Sequence, residues 1–333
     1  MTRVAVLGAG SWGTAFSLVL ADAGNSVTMW GRREEVCASI NQIHENTDYL
    51  PGVRLPDPVT ASHDPEQVLD GVDVVVIAVP SQSLRENLER WTPYLTQDAL
   101  LVSLMKGIEL GTTKRMSEVI AEVSGSPADR IAVVTGPNLA KEIAQRQPAA
   151  SVVACTDVDQ AERIQEICHG PSFRPYTNTD VLGCELAGAT KNVIALGVGM
   201  AAGLGFGDNA RASVITRGLA ETSRLGVSLG ADPYTFAGLA GLGDLVATCS
   251  SPLSRNRTFG EQLGLGLSVE HVAAATRQVA EGVKSCQSIL ALATAHGVDM
   301  PIVEHVAAVV RGELKPVDMV HRLISRAAKS ERG

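Results

Sequence analysis

Apolar residues in the first half of the chain fall into short, nearly continuous runs separated by stretches with helical spacing. Residues 4–7 (V-A-V-L), 26–30 (S-V-T-M-W), 73–80 (D-V-V-V-I-A-V-P), 99–104, 131–135 and 151–154 are such runs, and 173–177 closes the series. β-Branched, apolar stretches of this length predict strands covered by helices on both faces. Between them, residues 82–95 and 112–123 carry apolar positions at helical spacing, and Gly24 ends an earlier helix. Strands alternating with helices need right-handed crossovers, so the pattern predicts a doubly wound, mainly parallel sheet.

From about residue 180 the strand pattern stops. Residues 181–203, 210–226, 268–296, 301–312 and 317–328 read as helices, the last of them amphipathic. The first contains Gly183, Gly188, Gly197 and Gly199. Each lowers helix propensity, so close packing of a buried helix is the expected compensation. The predicted fold is an α/β domain over residues 1–180 followed by an all-α domain over 181–333, and a chain of 333 residues can hold both cores. No apolar run approaches the roughly 18 residues of a membrane helix, so no membrane insertion is expected. Gly8, Gly10 and Gly13 interrupt the N-terminal apolar stretch too early for a signal peptide.

Composition changes this picture little. A net charge of −8 argues against a general nucleic-acid surface. Six cysteines without a C-x-x-C pair suit reduced thiols, not a disulfide framework or a zinc site. A cytoplasmic protein without a metal centre is the expectation, and oligomeric state is left open, a homodimer included.

The first chemical motif is Gly8-Ala9-Gly10-Ser11-Trp12-Gly13, between a strand and a helix with Ala15, Leu18, Val19 and Asp22 at helical spacing. Gly8 permits the tight turn, Gly10 lets a pyrophosphate approach the backbone, and Gly13 lets helix and strand pack closely. The helix start then faces the phosphates, which predicts a Rossmann-like dinucleotide site; a plain turn is the alternative. An NAD-specific domain usually places an acid about 20 residues further on. Here the second strand ends in Gly31-Arg32-Arg33, with acids only at Glu34 and Glu35. Two arginines suit a 2′-phosphate, so NADPH is favoured and NADH remains admissible. The alternative is a solvated helix start.

Lys106 in Met105-Lys106-Gly107-Ile108-Glu109 lies just past the carboxyl end of a buried strand, where open α/β sheets bind ligands. It is suited to stabilising oxyanion charge, and equally compatible with a solvated loop lysine. Gly136-Pro137-Asn138-Leu139-Ala140-Lys141-Glu142 closes another strand and is undecided between an anion site and a turn. Lys191, in Glu185-Leu186-Ala187-Gly188-Ala189-Thr190-Lys191-Asn192, has the most apolar neighbourhood of any lysine in the chain. Burial and a second cation would lower its pKa towards the range of an acid/base catalyst, unless the side chain snorkels to the surface. Gly241-Leu242-Gly243-Asp244 precedes Ser254-Arg255-Asn256-Arg257, where Ser254 is a predicted N-cap. A capped helix start beside two arginines suits a substrate phosphate, or is a capped surface helix.

Taken together, G-A-G-S-W-G-T-A, K-G-I-E, G-P-N-L-A-K-E, A-T-K-N-V-I-A, G-L-G-D-L and S-R-N occur in the order seen in bacterial-type NAD(P)-dependent glycerol-3-phosphate dehydrogenases. The chain resembles that family from Gly8 to about Gly312. The resemblance implies cofactor contacts at Ser11, Trp12, Arg32, Arg33, Lys106, Ala140, Arg255, Val279 and Glu281. It implies substrate contacts at Lys106, Gly136, Asn138, Lys191, Asp244, Ser254, Arg255 and Asn256, with Lys191 as proton acceptor. Lys106 and Asp244 would join Lys191 in catalysis, on a small phosphate-bearing substrate. It further implies reduction of dihydroxyacetone phosphate to sn-glycerol 3-phosphate, feeding glycerophospholipid synthesis. Two positions depart from the pattern: Asn138, often Ser or Thr, and Leu139, usually Phe. Two rival readings are a ketopantoate- or hydroxyacid-type reductase, whose substrate carries a carboxylate, and a non-catalytic NADPH-binding regulator.

Overall fold

The apolar runs pair into one eight-stranded sheet in a computed structural model that describes residues 2–275, 280–326 and 330. The strands are β1 (Arg3–Leu7), β2 (Ser26–Trp30), β3 (Val59–Ser62), β4 (Val74–Ile77), β5 (Leu100–Ser103), β6 (Ile131–Thr135), β7 (Ala149–Ala154) and β8 (Phe173–Asn178). Their spatial order is β3-β2-β1-β4-β5-β6-β7-β8, and only the β6–β7 pair is antiparallel. β1 and β4 run side by side from Val4–Val74 to Leu7–Ile77, and every residue of both pairs' span is at most 1% exposed. Strand order reverses between these two, which opens a crevice at their carboxyl ends.

Helices α1 (Ser11–Asp22), α2 (Glu34–Ile43), α3 (Pro65–Leu69), α4 (Leu84–Trp91), α5 (Met116–Ser124), α6 (Ala140–Ala144) and α7 (Val158–Cys168) link the strands. Alternation along β1 divides the core in two. Val4 and Val6 pack with Phe16 and Leu20 of α1, whereas Ala5 and Leu7 pack with Leu84, Leu88 and Trp91.

After β8 the chain is helical: α8 (Val181–Gly203), α9 (Asp208–Ser228), α10 (Pro233–Ala237), α11 (Asp244–Ser250), α12 (Arg255–Gly264), α13 (Val269–Ala275), α14 (Glu281–Ala295), α15 (Pro301–Val310) and α16 (Pro316–Ile324). Asp180 caps α8 by accepting the Gly183 N–H at 2.8 Å. The glycines of α8 find the expected compensation. A methyl group on Gly199 would lie 2.0 Å from the Arg257 carbonyl oxygen, and one on Gly260 would lie 2.1 Å from that of Leu196. Helices α8 and α12 therefore touch main chain to main chain.

Several expectations need correction. Residues 82–95 break into a 3₁₀ turn at Ser81–Ser83, α4, and a second 3₁₀ turn at Thr92–Tyr94 that contains Pro93. The helix expected from residue 112 starts at Met116, because Thr113 adopts a positive φ of 56°. Residues 268–296 are not one helix: Ala280 is extended, and α14 starts where Asn256 Oδ1 accepts the Gly282 N–H at 2.9 Å, a tertiary contact overriding local propensity. The final helix ends at Ile324. α8 is long and apolar enough to cross a membrane, contrary to the sequence estimate, yet 94% of its apolar window is buried within the molecule.

One buried acid makes stability depend on pH. Glu221 on α9 is 2% exposed and accepts the Ile302 N–H at 2.9 and 3.1 Å, capping α15. Burial pushes its carboxyl up to about 7, against the pull of those N–H groups. The folded state thus holds a proton that the unfolded chain releases near the ordinary carboxylate range. Stability is full below that range and is lost as pH rises through the folded value, by about 3 kcal/mol in all. Urea unfolding between pH 5 and pH 8 should show this decline, and Glu221→Gln should flatten it; an identical slope in the variant would exclude Glu221 as its source.

Candidate active site

The glycine loop meets its backbone requirements one residue at a time. Gly8 has φ +128°, and a methyl group there would stand 2.5 Å from the Ala78 carbonyl oxygen at the end of β4. On Gly13 it would stand 2.1 Å from the Gly8 carbonyl oxygen. At Gly10, by contrast, nothing lies within 4 Å of that position. Gly10 is the N-cap of α1 and provides no side-chain cap, which leaves the first N–H groups of α1 without an intrahelical acceptor. Trp12 Nε1 is a buried donor without a partner among the described residues. Ser11 Oγ donates to the Tyr49 carbonyl at 2.8 Å. This set of donors, with room in front of it, fits a pyrophosphate.

The two arginines after β2 differ. Arg33 donates to Asp48 at 2.5 Å and lies over the Tyr49 ring at 5.5 Å, and the Asp48 bond raises its pKa. Arg32 is exposed. Arg33 is therefore held by its neighbours, while Arg32 stands out at the surface.

The lysines converge on one carboxylate. Asp244, at the start of α11, is 1% exposed. Lys106 Nζ donates to its Oδ2 at 2.6 Å, to the Gly136 carbonyl at 3.2 Å and to Asn138 Oδ1 at 2.7 Å. Lys191 Nζ donates to its Oδ1 and to Thr248 Oγ1, the latter at 2.8 Å. The Lys106 stem passes over Gly188 of α8, where a methyl group would lie 3.2 Å from Thr135 Oγ1 and 3.4 Å from Lys106 Cγ. Burial drives the pKa of Lys106 down to about 7, with Asp244 opposing and Lys191 assisting. The lysine identified with a lowered pKa is thus Lys106. Two cations sharing one buried anion form a site that can bind an oxyanion and pass a proton at neutral pH.

Ser254 is the N-cap expected of it, accepting the Arg257 N–H at 3.3 Å, and it starts α12. Arg255 is the exposed first residue of that helix, within electrostatic reach of Glu281. Asn256 is turned inward: its Nδ2 donates to Asn192 Oδ1 at 2.9 Å, and its Oδ1 takes the Gly282 N–H. Ala140 begins α6 and packs on the sheet core. Val279 lies outside the described residues. Two participants were not anticipated. Thr248 follows Asp244 by one helical turn, the only local signal it offers. Ser81 donates to Glu281 Oε2 at 2.9 Å across 200 positions of sequence, which no local pattern announces. Asn138 Nδ2 is buried beside Lys106 without a partner among the described residues.

Comparison with known proteins finds relatives that match over nearly the whole length of the chain. Residues 3–161 match the model of the NAD-dependent glycerol-3-phosphate dehydrogenase N-terminus, and residues 180–321 match that of its C-terminus. A Streptomyces griseus protein named glycerol-3-phosphate dehydrogenase [NAD(P)+] is 63% identical over 330 residues, spanning 99% of this chain and 98% of the relative. A Thermobifida fusca protein of the same name is 63% identical over 333 residues, spanning 100% and 99%. The crystal structure of glycerol-3-phosphate dehydrogenase from Coxiella burnetii, 37% identical, superposes with a TM-score of 0.93 over 98% of this chain and 99% of that one. The chain belongs to the NAD-dependent glycerol-3-phosphate dehydrogenase family.

Proposed function

We propose that this protein catalyses the reversible, NAD(P)H-dependent reduction of dihydroxyacetone phosphate to sn-glycerol 3-phosphate. The observation that carries the reading is the pair of lysines on Asp244, at the carboxyl side of a dinucleotide-binding sheet. The bound nicotinamide supplies the hydride. Lys191 gives a proton to the oxygen on C2 as it becomes an alkoxide, and takes it back in the reverse direction. Asp244 and Thr248 hold the Lys191 ammonium in place, and Lys106 adds positive charge where the oxyanion develops. The substrate phosphate rests on Arg255 and the start of α12, which Ser254 caps and Asn256 ties to α8 through Asn192. Asn138, with Oδ1 committed to Lys106, offers its Nδ2 donor to the substrate. Gly8, Gly10, Ser11, Trp12 and Gly13 hold the cofactor pyrophosphate. In this reading the substrate lies between a cofactor domain over residues 1–180 and a helical domain over 181–333. Six buried, unpaired cysteines support a cytoplasmic setting.

NADPH oxidation measured with dihydroxyacetone phosphate and with 2-keto acids tests the reading: turnover should be confined to the phosphate, and preference for a keto acid would sink it. Cofactor choice has its own test. Arg32→Ala should weaken NADPH binding by about 10- to 100-fold, the worth of a charge-assisted hydrogen bond, and leave NADH nearly unaffected. Equal losses for both cofactors would remove Arg32 from the 2′-phosphate site.

A further inference from the structure

Glu185 on α8 is a buried carboxylate, 4% exposed, with no part in the chemistry above. Its Oε1 accepts the Ser117 N–H at 2.8 Å. Its Oε2 accepts Ser117 Oγ at 2.5 Å and Arg115 Nη1 at 2.7 Å. Helix α8 thus supplies a second anion at the first turn of α5, beside Glu118, which accepts the Arg115 N–H at 2.8 Å. Burial works against the charge and pushes the Glu185 pKa up, while Arg115 and Ser117 pull it down. A group that costs desolvation and is nevertheless fully bonded is suited to specifying one arrangement among several.

The arrangement at stake is that of the segment carrying Lys106. Residues 106–115 run directly into α5 and are closed on themselves, with the Glu109 N–H bonded to the Lys114 carbonyl at 2.9 Å and Ile108 bridged to Arg115. Arg85 grips Glu109 with two bonds of 2.9 Å. Two further contacts from this segment reach α8. Ile108 is wholly buried in the cluster of Leu186, Ala189 and Val193, and the Lys106 stem crosses Gly188. Lys191 leaves the same helix one turn later. A slip of one residue along α8 is a 1.5 Å rise and a 100° turn, which would break all three bonds to Glu185 and strand its charge.

We propose that Glu185 is a positioning residue: by capping α5 it fixes the Lys106 segment on α8, and so places the two lysines on the two oxygens of Asp244. The effect on turnover rests on the reductase reading, but the placing of Lys106 can be read without substrate. In the full-length protein, Glu185→Gln should lower kcat for dihydroxyacetone phosphate about 10- to 100-fold and leave the NADPH Kd within two-fold. The pH dependence of Lys106 modification by an amine reagent, followed by mass spectrometry, should move by more than half a pH unit. Glu221→Gln, which alters an equally buried carboxylate capping α15, should keep both the wild-type kcat and the wild-type Lys106 profile. A Glu185→Gln protein with wild-type kcat and Lys106 profile overturns the proposal. If that variant does not fold, Ser117→Ala removes one of the donors and leaves Arg115 on Glu185. It should lower kcat several-fold with a smaller shift of the same sign in the Lys106 profile, and no change in either measurement is equally fatal. Wild-type protein inert towards dihydroxyacetone phosphate defeats the functional reading alone, since the Lys106 profile still decides the role of Glu185.

Discussion

Lys191→Ala is expected to cut kcat for dihydroxyacetone phosphate reduction by about 10²- to 10⁴-fold, the usual worth of a positioned general acid. NADPH affinity should stay within two-fold, because the residue sits on α8 against Asp244 and Thr248, and the glycine loop belongs to β1 and α1. The loss should be in kcat and kcat/KM together, as for an interaction made in the transition state. Added small primary amines should restore part of the rate if proton transfer is what was lost. Lys191→Ala protein retaining near wild-type kcat would remove Lys191 from the reaction, leaving Lys106 as the remaining acid beside Asp244.

The largest expected effect on stability lies at Gly199. Alanine there gains about 1 kcal/mol of helix propensity. Against this, its methyl group would lie 2.0 Å from the Arg257 carbonyl oxygen and 2.8 Å from the Glu261 nitrogen, both main-chain atoms of α12. Neither helix can yield without moving its whole length, so the net cost should be at least about 3 kcal/mol, the upper range of overpacking. Gly197→Ala is the internal comparison. Its nearest neighbour is Val306 Cγ2 at 3.2 Å, a side-chain atom that can shift. Overpacking and propensity should there nearly cancel, leaving less than about 1 kcal/mol. Urea unfolding of the two variants settles the point, and equal destabilisation would refute the main-chain contact as the cause.

What could be read from the chain was whatever one residue enforces locally. Gly8, Gly10 and Gly13 each meet a separate backbone demand within six positions, and Ser254 announces the start of α12 by its own hydroxyl. Strand β4 was legible because it is apolar throughout, and β1 because it is apolar after Arg3. β3 was not, because Thr60 and Ser62 break its apolar pattern. The break at Ala280 was hidden because its cause, Asn256 reaching Gly282, lies 26 positions away. Asp244 could be suspected as a charge among glycines, but its two lysines come from 138 and 53 residues distant. Burial in the region of Lys191 was visible in composition, while that of Lys106 was not, since its partners Gly136, Asn138 and Asp244 lie 30, 32 and 138 positions away. The inward turn of Asn256 likewise depends on Asn192, 64 positions earlier.

The contact between α8 and α12 has a further meaning for substrate choice. Lys191 projects from one helix and the Ser254–Asn256 start belongs to the other, and the spacing between them is set by peptide groups in van der Waals contact. Peptide groups have no rotamers. On the proposed reading, the separation of proton donor and phosphate seat is a fixed gauge, against which the three-carbon substrate is measured. A molecule one carbon longer would find only the Lys191 and Arg255 side chains able to adjust to it, because neither helix backbone can give. A larger change in substrate length would have to begin where the two main chains touch, at Gly199 and Gly260.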